Sequence, residues 1–215
     1  MAMREQHRMT RTFGFAPIRA GALAFGAALL LTGCVSLGVD PPESLLTLSS
    51  SATAPAGSGS ETGREGSAGA IAVLTPEVPA KLDVLRVPVD VSETEIAYLQ
   101  DAFWVEKPAR LFRRLLGETL RTRGAALVID NDDAPVLASQ FLRGTLLDMT
   151  YDAQTSSVVV RFEAMRTDAD GSVVSRRFEA REEGIAADAA FVGPALNRAA
   201  NQVAGEVAEW VVDGE

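Results

Sequence analysis

SVVVRFEAMRTDADGSVVSRRFEA, residues 157–180, carries two β-branched runs joined by Asp170-Gly171. In the first run Val158, Val160, Phe162 and Ala164 alternate with Val159, Arg161, Glu163 and Met165. A period of two predicts a strand with one buried face. Asp-Gly between two such runs predicts a hairpin, because these residues tolerate the positive φ of a tight turn. The reading is a pair of antiparallel strands, 157–165 and 173–180.

Working outward, Phe141 to Tyr151 is a third strand-like segment directly before this pair. After it, Asp188 precedes a helical stripe of Val192, Leu196, Ala199, Val203, Val207, Trp210 and Val211, whose alanines allow close approach to a sheet. Upstream, Leu111, Phe112, Leu115, Leu116 and Leu120 recur at helical spacing, with Pro108 suited to the first turn and Gly124 to the stop. Ala125 to Ile129 then reads as a strand. Leu85 to Val91 is interrupted by Pro88, so it reads as an edge strand or an extended loop. Ile71 to Leu74 is a short buried run closed by Pro76 and Pro79. Strands, a helix, sequential strands and a final helix predict an α+β fold: an antiparallel-rich sheet with two helices packed on one face.

Before Ala70 the composition changes. Ser49 to Gly69 is mostly Gly, Ser, Ala and Thr, a flexible linker by composition. Leu45 to Leu48 reads either as a first strand pairing back onto the sheet or as membrane-proximal chain. Further upstream, Arg4, Arg8, Arg11 and Arg19 precede AGALAFGAALLL, residues 20–31, which is uncharged. Twelve residues are too few to cross a hydrocarbon core that needs about 20. A basic flank, a short apolar run and small residues describe a secretory signal. Leu31-Thr32-Gly33-Cys34 resembles the lipobox of bacterial lipoproteins, in which the cysteine sulfur receives a diacylglycerol and cleavage leaves that cysteine first. The organisation is thus a signal peptide over 1–33, a lipidated tether and linker over 34–69, and a domain over 70–215.

The whole chain has a formal net charge of −9, and removing residues 1–33 makes it −12, which argues against nucleic acid as a partner. His7, the single histidine, leaves with the signal, and Cys34 is the single cysteine. This removes the commonest general base, a free thiolate nucleophile and the usual zinc ligands. No catalytic residue, metal ligand or cofactor is assigned.

Asp130-Asn131-Asp132-Asp133 invites a calcium reading, but it lacks the glycine and closing glutamate of an EF-hand and reads better as a solvated turn. Tyr98, Phe103 and Trp104 fall within seven residues of a segment that is neither clear helix nor clear strand. They are candidate partner-binding aromatics, with a roof over the core as the alternative. Lys107, Arg110, Arg113, Arg114, Arg121 and Arg123 stand against Glu106 and Glu118. That face suits acidic headgroups or an acidic partner, or is solvated and balanced by the protein's own acids.

The lipobox cysteine, the Ala70–Leu74 strand, Leu85-Arg86-Val87-Pro88-Val89, Ile96-Ala97-Tyr98-Leu99, Trp104 to Phe112 and the Leu115-Leu116 helix together resemble the ABC-type transport auxiliary lipoproteins. These are the PqiC-like lipoproteins that accompany MCE-domain lipid transporters. The resemblance is strongest between Leu82 and Leu120. It implies a periplasm-facing lipoprotein, anchored by palmitate-class acyl chains on Cys34, that works with an MCE protein, an ABC permease and its ATPase. Val35 stands where an aspartate would signal retention in the inner membrane, which favours the outer membrane. The expected function is non-enzymatic docking within a lipid transporter. The rival is a periplasmic carrier holding a hydrophobic ligand in an apolar cavity; a carboxylate-dependent hydrolase ranks below both. A homo-oligomer is compatible with either of the first two.

Overall fold

A computed structural model describes residues 44–57, 70–124, 127–130 and 138–213. Along these the order is β1 (Ile71–Val73), a 3-10 turn (Ala80–Leu82), β2 (Arg86–Asp90), β3 (Ile96–Phe103), α1 (Pro108–Thr122), β4 (Val128–Ile129), β5 (Gln140–Asp152), β6 (Ser157–Thr167), β7 (Val173–Glu183) and α2 (Ala189–Asp213).

The 157–180 hairpin forms as β6 and β7, and Val158, Val160, Phe162 and Ala164 are buried as the alternation predicts. Its register is set by a loop longer than two residues. Asp168 N–H bonds Ser172 O at 2.9 Å, and Gly171 takes φ +84°, the left-handed region open to glycine. Pairing therefore begins at Thr167 with Val173 and places Phe178 opposite Phe162, both facing inward.

The sheet is mixed, so the antiparallel-rich expectation holds only in part. The β2–β3, β5–β6 and β6–β7 pairs are antiparallel, whereas β1–β4, β1–β5 and β2–β5 are parallel. One edge of the long β5 is shared: β1 pairs with Gln140 to Leu142 and β2 with Tyr151 and Asp152. The physical reason is α1, which lies between β1 and both β4 and β5 in the chain. A helical crossover returns the chain to the same end of the sheet and so produces parallel neighbours. Strand patterns in a sequence carry no direction. The edge reading of β2 is also corrected, since β3 flanks it on the outside. Pro88 is tolerated because the β5 pairing reaches only Val89 and Asp90.

Both helices pack on one face. Phe112 of α1 meets Phe162 edge-to-face at 5.2 Å, and Trp210 of α2 meets Phe178 at 5.7 Å. Pro108 opens α1, and Gly124, with φ +80°, follows its end. The carboxylate of Asp188 accepts Ala190 N–H at 2.8 Å, starting α2. At the far end Arg166, buried on the inner side of β6, donates to the Trp210 carbonyl at 3.0 Å, placing a cation on the negative end of the helix. Ala195, Ala199, Ala200, Ala204 and Ala208 are all buried and let α2 lie close to its neighbours.

Residues 44–57, read from composition as partly loose, lie along the helices. Leu46 makes one parallel bridge to Trp104, accepting Val105 N–H at 2.8 Å and donating to Phe103 O at 2.7 Å. Ser49 N–H and Ser51 N–H then donate to the side-chain oxygens of Asn197 and Asn201, at 2.8 and 2.7 Å. Asn201 returns a bond to Ser49 O at 2.8 Å, and Ala54 N–H reaches Glu118 at 2.8 Å. A strap of backbone donors and acceptors thus finds partners on both helices.

Candidate functional site

The candidate aromatics sit where β3 runs into α1. Between the pairs Pro88–Tyr98 and Arg86–Phe103, β3 takes five residue steps against two on β2, and Asp101 in this bulge has φ +54°. The bulge changes which side chains share a face. Leu99, Ala102 and Trp104 point inward and are buried, while Tyr98 and Phe103 emerge half-buried on the outer side. The Arg86 guanidinium lies over both rings, 5.1 Å from the Tyr98 centroid and 5.7 Å from that of Phe103. Trp104 is 1% exposed, which corrects its placement as a surface anchor. Strict alternation from Tyr98 would keep Trp104 on the outer face; the inserted residues turn it into the core.

A second constellation occupies the outer face of the sheet. A bulge between Leu146 and Asp148 brings Asp148 opposite Arg161. Lys81 Nζ donates to Asp148 at 2.7 Å and to Asp90 at 3.1 Å, and Thr150 donates to Asp90 at 2.9 Å. Arg161 bridges Asp148 at 2.5 Å and Glu179 at 2.7 Å. Burial pulls the Lys81 ammonium down, but its hydrogen bonds and charge contacts with Asp148 and Asp90 outweigh this, so its pKa lies above the ordinary lysine value. Beside this network lies an open cleft of about 510 Å³ lined by residues including Lys81, Asp148, Arg161 and Arg177. A second cleft of about 420 Å³ shares Glu77 and Thr145 with it. Paired cations and carboxylates on a sheet face can bind a charged surface.

The cations of α1 and its flanks are matched by acids. Lys107 pairs with Asp83 at 2.8 Å, Arg110 and Arg114 with Glu106, and Arg123 with Glu209 at 2.7 Å. Arg121 reaches Asp130 at 2.6 Å. Gly117 permits that approach, since a Cβ there would lie 2.5 Å from the Asp130 carboxylate. Asp130 is therefore an ion-pair partner, and no metal-holding group of acids occurs among the described residues. Asn131, Asp132 and Asp133 lie outside the described residues, as does Cys34.

Arg86, Lys81 and Asp148 escaped the sequence reading. Arg161 and Glu179 stand on outward positions of two predicted strands, so their pairing was within reach. The Asp148 contact needs the bulge, and the position of Lys81 beside it depends on a turn with no periodic pattern.

Comparison with curated proteins gives no match. Among solved structures, the protein XCC0632 from Xanthomonas campestris is similar at 20% identity and a TM-score of 0.59, over 66% of this chain and 83% of that one. An uncharacterised protein is similar at 16% identity and a TM-score of 0.57, over 67% of this chain and 92% of that one. At these identities the likeness is one of fold. The family model of the ABC-type transport auxiliary lipoprotein component matches residues 47–208, from the residue after the Leu46 bridge well into α2, and the chain belongs to that family.

Proposed function

We propose that the chain is a non-enzymatic docking subunit, held to the outer membrane through lipidated Cys34, that engages the MCE-domain protein of an ABC-type lipid transporter. The observation that carries docking over carriage is the packing between sheet and helices. Trp104, Phe112, Phe162, Leu116, Leu146, Met149 and Leu196 fill that space, each almost completely buried. A carrier would need an apolar concavity of several hundred Å³. The clefts beside Lys81 and Glu77 lie on the outer side of the sheet and carry charged groups in their walls. Tyr98 and Phe103, stiffened by Arg86, supply an aromatic ledge of the kind that anchors protein partners.

The test is co-purification of the lipidated chain with the MCE protein, permease and ATPase from membranes. Capture of the assembly, weakened about tenfold or more when Tyr98 and Phe103 are both changed to Ala, is the expected result. A chain that leaves its partners behind yet carries lipid at one molecule per protein would instead be a carrier.

A further inference from the structure

Four large apolar side chains are exposed on segments that meet where the described chain begins. Leu45 is 50% exposed, Leu85 46%, Val105 51% and Phe191 60%. Backbone contacts bring them to one corner of the fold. Leu46 bridges Trp104, Trp104 N–H donates to Leu85 O at 2.8 Å, and Val105 N–H donates to Leu46 O. The Leu46 side chain covers Gly193 in the first turns of α2, where a Cβ would lie 2.6 Å from Leu46 Cδ2, and Phe191 is on the exposed side of that same end of the helix. An apolar cluster of this kind on a surface marks a contact site for a partner or a membrane.

Chain length selects the occupant. From Cys34 to Ser44 are ten residues, which reach at most about 35 Å when fully extended. A compact domain of this size is itself roughly 40 Å across. The strap matters here: Asn197 and Asn201 hold Ser49 and Ser51, so the pivot is Ser44 rather than Ala70. The corner that receives Ser44 is therefore the point at which the tether joins the domain, and it stays within that reach of Cys34. Charge does not oppose contact there. Arg86, Lys107, Arg110 and Arg114 stand against Asp83, Asp101 and Glu106, whereas residues 34–215 as a whole are at −12. Long basic side chains beside exposed leucine, valine and phenylalanine suit a headgroup boundary.

We propose that the corner formed by Leu45, Leu85, Val105 and Phe191 rests on the lipid bilayer that carries the acyl anchor, with the strap setting this orientation. The inference rests on the reading of Cys34 as the lipidated residue. Contact at the corner directs the β7 edge, with Val173 and Val174, away from the surface.

Because Cys34 is the single cysteine and its sulfur is occupied by lipid, one added cysteine takes a fluorophore selectively. The lipidated mature chain carrying Val105→Cys, and separately Val174→Cys, is placed in vesicles of phosphatidylethanolamine and phosphatidylglycerol containing a nitroxide-labelled lipid. Quenching at 105 and none at 174 is the expected result. Changing Asn197 and Asn201 to Ala, which releases the strap, should remove the difference. A chain that stays on the vesicles with equal signals at both sites overturns the orientation and leaves the anchor standing. A chain that carries no acyl mass on Cys34 and stays in solution overturns the anchor and the orientation together.

Discussion

Trp104 is one of the largest side chains in the core, and its indole Nε1 has no acceptor among the described residues. Truncation should therefore act on stability first. Trp104→Ala is expected to cost about 3–5 kcal/mol of unfolding free energy, read from urea midpoints. Trp104→Phe gives up volume but no hydrogen bond, and should cost less. If the alanine variant unfolds like the parent, the indole is not the packing element that its burial implies. Lys81 makes a prediction of another kind. Its folded pKa is raised, so its contribution is complete below the unfolded value of about 10.4 and is lost as pH rises through the folded value. The parent should lose stability on the alkaline side of that window. Lys81→Met should be weaker at neutral pH by about 1–3 kcal/mol, with Asp148 and Asp90 left less well paired, and flatter above it. Parallel alkaline limbs for the two proteins would remove Lys81 from the account.

β5 holds the sheet together because β1, β2 and β6 all pair with it. Gly144 lies opposite Ala164 within its β6 pairing. A Cβ at that position would stand 2.1 Å from the Glu163 carbonyl oxygen and 2.8 Å from the Phe162 ring. The nearest obstacle is backbone, which cannot swing aside. Gly144→Ala should destabilise by about 1–3 kcal/mol or more, measured by thermal or urea unfolding. Gly193→Ala meets instead the tip of the Leu46 side chain, which can move. Its expected effect is a loosened strap: faster proteolysis within residues 47–57 at little cost to global stability. A large drop in stability with an unchanged cleavage rate would mean that the strap is integral to the core.

In the proposed reading Cys34 supplies attachment and the folded domain supplies docking, and Cys34→Ala separates the two. That variant should fold normally, yet be released from membranes or retained as uncleaved precursor, as fractionation and mass measurement would show. A mature, detergent-requiring Cys34→Ala protein would contradict the anchor. The domain's stability should be unchanged, because the described core is built by β1 to β7 and both helices, with Leu46 and Leu48 packed against it.

Several features were legible from local pattern: the β6–β7 hairpin, the inward face of β6, the ends of α1 and the stripe of α2. Each depends on residues a few positions apart, whose side-chain period or turn chemistry is written in the chain. The family was legible for the same reason, since its motifs are contiguous. Strand direction, the core position of Trp104 and the course of the strap were decided by contacts between distant residues. β1 and β2 became parallel to β5 because the chain crosses over through α1 between them. Trp104 turned inward because a bulge at Asp101 shifted the alternation between Tyr98 and Phe103. Ser49 and Ser51, composed like loose chain, are held by asparagines 148 and 150 residues away. Composition reports what a segment can bury on its own. It says nothing of donors and acceptors that folding brings to its backbone from elsewhere.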